Sequence, residues 1–232
     1  MSNYYESRPV SVANLGVDSR ATFITRTYCH LLVAIAAFTG IEIFLFASGL
    51  AHSIAKAMLG TSWLLVIGAF VLVSWLGRKV AYSSTSLPLQ YLALAGYVVA
   101  EAIVFVPLLA LAEHYAKGVI ASAALVTGLG FSGLSAVVFL TRKDFSFMGG
   151  VLKWAGILAL VAIVAGVIFG FELGTWFSVA MVGLAGGAIL YDTSNVLHHY
   201  PEDRYVAASL ELFASVALMF WYVLRLLMGS RR

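Results

Sequence analysis

Four acidic residues lie inside long apolar segments, where a carboxyl group can bind a proton or a cation. They are Glu42, Glu101, Asp192 and Glu211. An ionised side chain at the centre of a bilayer costs at least about 2.5 kcal/mol on insertion scales, so an acid there indicates a function or a specific hydrogen bond. Two carboxyl groups that share a site cannot both ionise cheaply, and such a pair responds to pH. These residues therefore predict pH-dependent binding or passage of a proton or a cation.

The helical rise places the four acids at two depths. At about 1.5 Å per residue, Asp192 lies roughly 9 Å from the end of its segment, and Glu211 lies at a similar depth in the next one. Glu42 and Glu101 lie roughly 21 Å from the same side by the same arithmetic. We therefore predict an inner layer of Asp192 with Glu211 and a deeper layer of Glu42 with Glu101. Depth alone does not show that two residues face each other.

Each acid has a simpler interpretation as a protonated group that hydrogen-bonds a neighbouring helix and fixes its packing. For Asp192 we prefer the functional interpretation, because it begins the run DTSN, in which three further polar residues follow. Asn195 and His198 are its candidate partners on the inner side. Arg78, at the inner end of the second apolar segment, either pairs with Asp192 or lies among lipid headgroups.

The elements that hold these residues are seven apolar segments. Of 232 residues, 62% are hydrophobic and 11% are charged, whereas soluble domains carry roughly a quarter charged residues. Each segment is long enough to cross a hydrocarbon core about 30 Å thick. The segments are approximately 28–49, 56–77, 87–112, 117–141, 148–170, 175–198 and 205–228. The sequence thus predicts an all-α integral membrane protein, in which a polar cytoplasmic leader, 1–27, precedes a single seven-helix membrane domain, 28–232.

Basic residues predict the orientation of this bundle. Of the 14 Lys and Arg residues, nine lie on the side of the N-terminus in the seven-segment arrangement. The other five are Lys56, Lys117, Arg225, Arg231 and Arg232. Because basic residues are enriched on the cytoplasmic side, this distribution favours a cytoplasmic N-terminus. The basic C-terminal end is at odds with that rule, and a seventh segment that re-enters the membrane without crossing it is the alternative.

Other chemistries lack a complete set of residues. GFSG at 130–133 matches the nucleophile motif of rhomboid proteases, but Ser132 would need a histidine on another helix, and His198 and His199 lie at a helix end. The single cysteine excludes a cysteine-rich metal site. The basic residues occur singly or in pairs, unlike a nucleic-acid-binding patch. We therefore predict no enzyme, no organic cofactor, no structural metal and no nucleic-acid partner, with the lipid bilayer as the surroundings.

Three segments carry a resemblance to a known family. TRKDFSFMGGVL at 141–152, GAILYDTSNVLHH at 187–199 and SLELFASVALMFWYVLRLL at 209–227 resemble the Bax inhibitor-1 family. The resemblance extends from about 26 to 227 and is strongest to the bacterial branch that includes the modulator of the FtsH protease. It implies a seven-helix bundle with a central seventh helix, in the bacterial inner membrane. It also implies a role in stress response, a pH-sensitive calcium leak or, in the bacterial branch, binding to a membrane-bound AAA protease of the FtsH type and its regulators.

The resemblance also maps the family's site onto this chain. The family's acid in the sixth helix corresponds to Asp192, and its partner acid in the seventh helix corresponds to Ser215, so a pair of aspartates is not carried over. Glu211 lies four residues earlier on the same helix face and is the expected replacement. Two functions follow: modulation of an FtsH-type protease, which we expect to need residues 1–25, or a leak of calcium, another cation or protons gated around Asp192. In the second case calcium is the ion transported or bound.

Overall fold

A computed structural model describes residues 11–229, which form eight α-helices. The helices are α1 (Val17–Ala47), α2 (Leu50–Leu59), α3 (Trp63–Ser83), α4 (Leu87–Tyr115), α5 (Val119–Thr141), α6 (Met148–Phe169), α7 (Thr175–His198) and α8 (Tyr205–Gly229). All except the short α2 are long and apolar enough to cross a membrane. The predicted all-α bundle of seven transmembrane helices is therefore confirmed for the described part of the chain.

The first helix begins earlier than its apolar segment. α1 begins at Val17, and Phe23 and Thr27 are buried in the bundle, although both fall in the predicted leader, 1–27. Hydropathy marks only the apolar part of a helix, whereas the backbone hydrogen bonds continue through polar turns. The division into a leader and a membrane domain stays a prediction, but the later part of that leader packs with the helices.

The residues just before α1 attach to the connection between α7 and α8. The hydroxyl of Ser11 donates to the backbone carbonyl of His198 at 2.7 Å, and the backbone N–H of Val12 donates to the carbonyl of Tyr200 at 2.9 Å. Val12 is fully buried. This attachment fixes the start of the described chain beside the end of α7, the helix that carries Asp192.

The second predicted segment, 56–77, is displaced in the structure. Gly49 adopts a left-handed conformation (φ 79°), which is accessible to glycine, and it begins α2 as a separate helix. α2 ends at Leu59, and α3 begins only at Trp63. Hydropathy had merged the end of α2 with the start of α3 because both are apolar. The second crossing therefore runs to Ser83, and Arg78 lies within the helix.

α8 is the central helix of the bundle. It packs against α1, α3, α4, α5 and α7, whereas α6 packs chiefly on α7. It is one unbroken helix of 25 residues, so the re-entrant alternative for the seventh segment is wrong. α3 and α6 are peripheral. Only 6% of the most apolar stretch of each is buried in the bundle, compared with 56% for α4. These two outer helices scarcely contact each other, and a cleft opens between them.

Two glycines set the contact between α6 and α7. A Cβ placed on Gly149 would lie 2.9 Å from Cε2 of Tyr191, closer than real Cβ atoms approach a ring carbon. On the opposite helix, a Cβ on Gly187 would lie 3.1 Å from Cδ2 of Leu152. Small residues of this kind let transmembrane helices approach closely. Gly149, which lies in the segment 141–152, is therefore a packing residue.

We expect Gly149→Ala to destabilise the bundle by about 1 kcal/mol, the low end of the usual cost of overpacking. The added methyl group must displace the end of the Tyr191 side chain, which lies between α6 and α7 and borders the cavity. Thermal unfolding of the purified protein in detergent measures the effect. Gly150→Ala is the matched control, because nothing lies within 4 Å of a Cβ at that position. Equal unfolding midpoints for the two variants would contradict the packing role of Gly149.

Candidate functional site

A cavity of about 1250 Å³ occupies the cleft between α3 and α6, and residues of α4, α7 and α8 form its floor. It runs along α3 from Trp63 to Tyr82, and most of its wall is apolar. Six of the residues predicted from sequence line it: Arg78, Glu101, Asp192, Asn195, Glu211 and Ser215. The structure therefore gathers residues from four helices around one space, which we treat as the candidate site.

Asp192 is paired with Ser215 across the interface of α7 and α8. The hydroxyl of Ser215 donates to Oδ2 of Asp192 at 2.5 Å, and both residues are buried. Ser215 is the position at which the resemblance implies a second acid. In this chain the neutral Ser215 hydroxyl occupies that position, so the hydrogen-bond partner of Asp192 is not a second carboxyl group.

Glu211 is paired with Arg78 from α3 and not with Asp192. Nη1 of Arg78 donates to Oε2 of Glu211 at 2.6 Å. Glu211 therefore does not hydrogen-bond Asp192, but both acids line the same cavity, and their joint role at the site stays a prediction. Arg78 bonds Glu211 and not Asp192, because α3 continues to Ser83 and places Arg78 within the helix, facing α8. A contact of Arg78 with lipid headgroups stays a prediction. The ion pair with Glu211 connects a peripheral helix to the central one.

The two deeper acids are not brought together. Glu101 is buried in α4 and accepts a hydrogen bond from the hydroxyl of Tyr97 at 2.9 Å, one turn away, at the cavity wall. Glu42 is buried in α1 but does not line that cavity. Neither carboxyl oxygen of Glu42 has a hydrogen-bond partner among the described residues. No hydrogen bond joins Glu42 and Glu101 in the described residues, Glu42 lies outside the cavity, and their common depth in the membrane stays a prediction.

Sequence reasoning missed a second cluster, which lies where the loop before α6 meets the end of α7. Oδ1 of Asp144 accepts from the backbone N–H of Ser146 at 2.8 Å and from the hydroxyl of Ser194 at 3.2 Å. Nε2 of His199 lies 2.9 Å from Oδ2 of Asp144. Ser194 in turn accepts from the backbone N–H of Phe145 at 2.8 Å. The segments 141–152 and 187–199 are thus joined, and the D-x-S spacing typical of an Asx turn was the available signal.

The two adjacent histidines at the end of α7 lie in different surroundings. His199, not His198, lines the cavity, whereas Nδ1 of His198 lies 2.9 Å from the carbonyl of Ser194 in its own helix. His198 is therefore not a partner of Asp192. Asn195 lines the cavity, and its backbone carbonyl accepts from the N–H groups of His199 and Tyr200 at the end of α7.

We expect Asp144→Asn to weaken the contact between this loop and α7 by about 1 kcal/mol, the usual net value of a hydrogen bond. The backbone N–H of Ser146, helped by the side chains of Ser146 and His199, holds the pKa of Asp144 well below its usual range. The stabilisation by the carboxylate is therefore complete above the ordinary Asp pKa of about 3.9, and it is lost only as the pH falls towards the lowered value.

Unfolding midpoints of the native protein and Asp144→Asn, measured from about pH 7 down to about pH 3, test this account. The difference between them is expected to be constant down to about pH 4 and to shrink below that value. Lys143→Gln, one residue away and exposed, is the control. A difference that disappears well above pH 4 would contradict a lowered pKa at Asp144.

Comparisons with known proteins add the following findings. Residues 20–232 match the sequence profile of the family described as Inhibitor of apoptosis-promoting Bax1. The Modulator of FtsH protease YccA of Escherichia coli strain K12 is 36% identical over 110 residues, covering 47% of this chain and 50% of the relative. An uncharacterised protein of Campylobacter jejuni is 30% identical over 207 residues, covering 82% and 81%. A Golgi anti-apoptotic protein of vaccinia virus is 26% identical over 151 residues, covering 62% and 60%. The chain spans about half the length of the Escherichia coli relative.

Proposed function

This chain belongs to the Bax inhibitor-1 family, and from that membership we propose that it is a multi-pass inner-membrane protein that modulates an FtsH-type AAA protease. The observation that carries the proposal is the 36% identity to a relative named as a modulator of that protease. A second Escherichia coli relative with the same identity is named as an inner membrane protein. The distribution of basic residues supports a cytoplasmic N-terminus. A modulator needs no catalytic residues, which agrees with the prediction that the chain is not an enzyme.

The contacts of Ser11 and Val12 with the α7–α8 connection limit how much of the N-terminal segment can be deleted in a test. Removal of residues 1–25 would delete Val12 and Phe23, which are both buried, and would disturb the bundle itself. Removal of residues 2–10 leaves the hydrogen bonds of Ser11 and Val12 to the α7–α8 connection in place. The shorter deletion therefore removes the polar end of the predicted leader and retains Ser11, Val12 and Phe23.

We expect the full-length protein to change the rate at which an FtsH-type protease degrades a membrane substrate in proteoliposomes. The variant lacking residues 2–10 is expected to lose that effect, and its unfolding midpoint is measured beside it to show that it is folded. Degradation rates with the full-length protein, with the deletion variant and without either provide the comparison. An unchanged rate in the presence of full-length protein would overturn the modulator proposal, and full retention of the effect by the deletion variant would overturn the role of the polar end.

A second candidate function is a pH-sensitive leak of calcium, another cation or protons. The observation that favours it is the cavity that runs along α3 and is lined by Glu101, Asp192 and Glu211. Carboxyl groups inside a membrane protein typically mark the path of an ion or a proton. In this proposal the Arg78–Glu211 and Asp192–Ser215 pairs hold the helices around the cavity together, and a change at either pair alters passage.

A further inference from the structure

We propose that the cleft between α3 and α6 binds one anionic phospholipid, with its phosphate at Lys153 and its acyl chains along the apolar walls. The cleft lies between the two least buried crossing helices, so it faces the lipid phase. It is the same cavity that Asp192 and Glu211 line, but the lipid is a ligand that neither proposed function includes.

The walls of the cleft have the shape and polarity that acyl chains require. On α6, the lining residues Leu152, Gly156, Leu160 and Ile163 recur every three or four positions and so form one face. Nothing lies within 4 Å of a Cβ placed on Gly156, so the middle of this face is open. The facing wall on α3 consists mainly of large apolar side chains: Val66, Ile67, Phe70, Val71 and Trp75.

The apolar wall is longer than one leaflet, since on α6 it continues past Ile163 to Gly166 and Val167. Ten residues separate Lys153 from Ile163, or about 15 Å of helix at a rise of about 1.5 Å per residue. One half of a hydrocarbon core is also about 15 Å thick. A headgroup at Lys153 therefore leaves the chains in contact with the wall as far as the middle of the membrane.

Lys153 carries a positive charge at the mouth of the cleft, whereas the acids on its floor have hydrogen-bond partners. Lys153 lines the mouth, is exposed, and has no ion-pair or hydrogen-bond partner in the described part of the chain. On α3, Nζ of Lys79 lies 4.8 Å from the centre of the ring of Trp75, which lines the cleft. The three acids that line the cavity each have a hydrogen-bond partner: Glu211 bonds Arg78, Asp192 bonds Ser215 and Glu101 bonds Tyr97. Basic pockets between transmembrane helices are a typical binding site for anionic headgroups.

The lysine at the mouth, unpaired among the described residues, favours a lipid over a transmembrane helix of a partner. An anionic headgroup neutralises the charge of Lys153, whereas the apolar face of a helix would leave it without a counterion.

Native mass spectrometry of the purified full-length protein tests this proposal, with phosphatidylglycerol or phosphatidylcholine of equal chain length titrated in detergent. The first phosphatidylglycerol is expected to bind more tightly than phosphatidylcholine. Lys153→Gln is expected to weaken it about fivefold, the contribution of one cation near an anionic headgroup. Lys56→Gln removes the same charge in α2, on the other side of the membrane, and is expected to have no effect.

A filling variant separates the cleft from the headgroup contact. Gly156→Phe places a ring in the open middle of the wall and is expected to abolish tight binding of the first lipid. Gly150→Phe, also on α6 and also without neighbours within 4 Å, is expected to retain it because Gly150 does not line the cavity. Equal affinity for the two lipids, unchanged binding in Lys153→Gln or Gly156→Phe, or a second copy of the chain in place of lipid would each overturn the proposal.

Discussion

Glu211→Gln is expected to lower the free energy of unfolding by about 2 kcal/mol, because it leaves the Arg78 guanidinium without its counterion inside the membrane. The two groups are joined at 2.6 Å. Breaking a fully buried pair costs about 3–5 kcal/mol. The side chain of Arg78 is 45% exposed towards the cavity, so we expect a smaller loss. Thermal or denaturant unfolding of the purified protein in detergent measures it.

A double-mutant cycle isolates the ion pair from other effects of these substitutions. If Arg78 and Glu211 interact directly, Arg78→Gln combined with Glu211→Gln is expected to cost less than the sum of the single changes, by about 1–3 kcal/mol. Asp203→Asn is the matched control, because Asp203 also pairs with an arginine, Arg204, at 2.6 Å but has a side chain that is 58% exposed. Such a surface pair contributes about 0–1 kcal/mol. Additive costs for Arg78 and Glu211 would contradict a direct interaction.

The Arg78–Glu211 pair matters for the whole bundle because of where it lies. α3 is scarcely buried, whereas α8 contacts five other helices. α3 packs mainly against α4 and less closely against α8, so one charge-assisted hydrogen bond is a large share of its attachment to the central helix. The pair therefore strengthens the wall of the cavity where α3 meets α8.

Sequence reasoning found the residues of the site more reliably than their partners. The high cost of an acid in an apolar segment pointed to Asp192 and Glu211, and both line the cavity. Helical rise gives depth but not rotation, and so it could not show that Glu211 turns towards Arg78. For the same reason Glu42 and Glu101 were assigned to one layer, although only Glu101 lines that cavity.

Boundaries and loop contacts were harder to predict for a different physical reason. Hydropathy measures transfer into lipid, whereas a helix is defined by backbone hydrogen bonds that continue through polar turns. It therefore set the start of α1 too late and overlooked the break between α2 and α3. Asp144 lies outside the apolar segments, and its contact with Ser194 joins residues 50 positions apart. No local pattern specifies such a pair, and only the folded bundle brings the two together.

If the cavity conducts, Asp192→Asn is expected to change the pH dependence of calcium or proton flux in proteoliposomes, because two carboxyl groups that share a site respond to pH. The substitution removes the ionisable group but keeps a side chain of the same shape that can still bond Ser215. Glu211→Gln is expected to raise flux severalfold, because α3 then loses its ionic attachment to α8. Ion-sensitive dyes inside the vesicles measure both effects against empty vesicles.

The outcome of this flux measurement separates the two proposed functions. Glu42→Gln is the matched control, since Glu42 is buried at a depth similar to that predicted for Glu101 but does not line the cavity. Flux altered by Asp192→Asn and Glu211→Gln but not by Glu42→Gln is expected for a leak through the cavity. Flux that all three variants leave unchanged would place the path elsewhere. No flux above empty vesicles in any variant would exclude the leak, and the cavity acids would then act only by fixing the helices of a protease modulator.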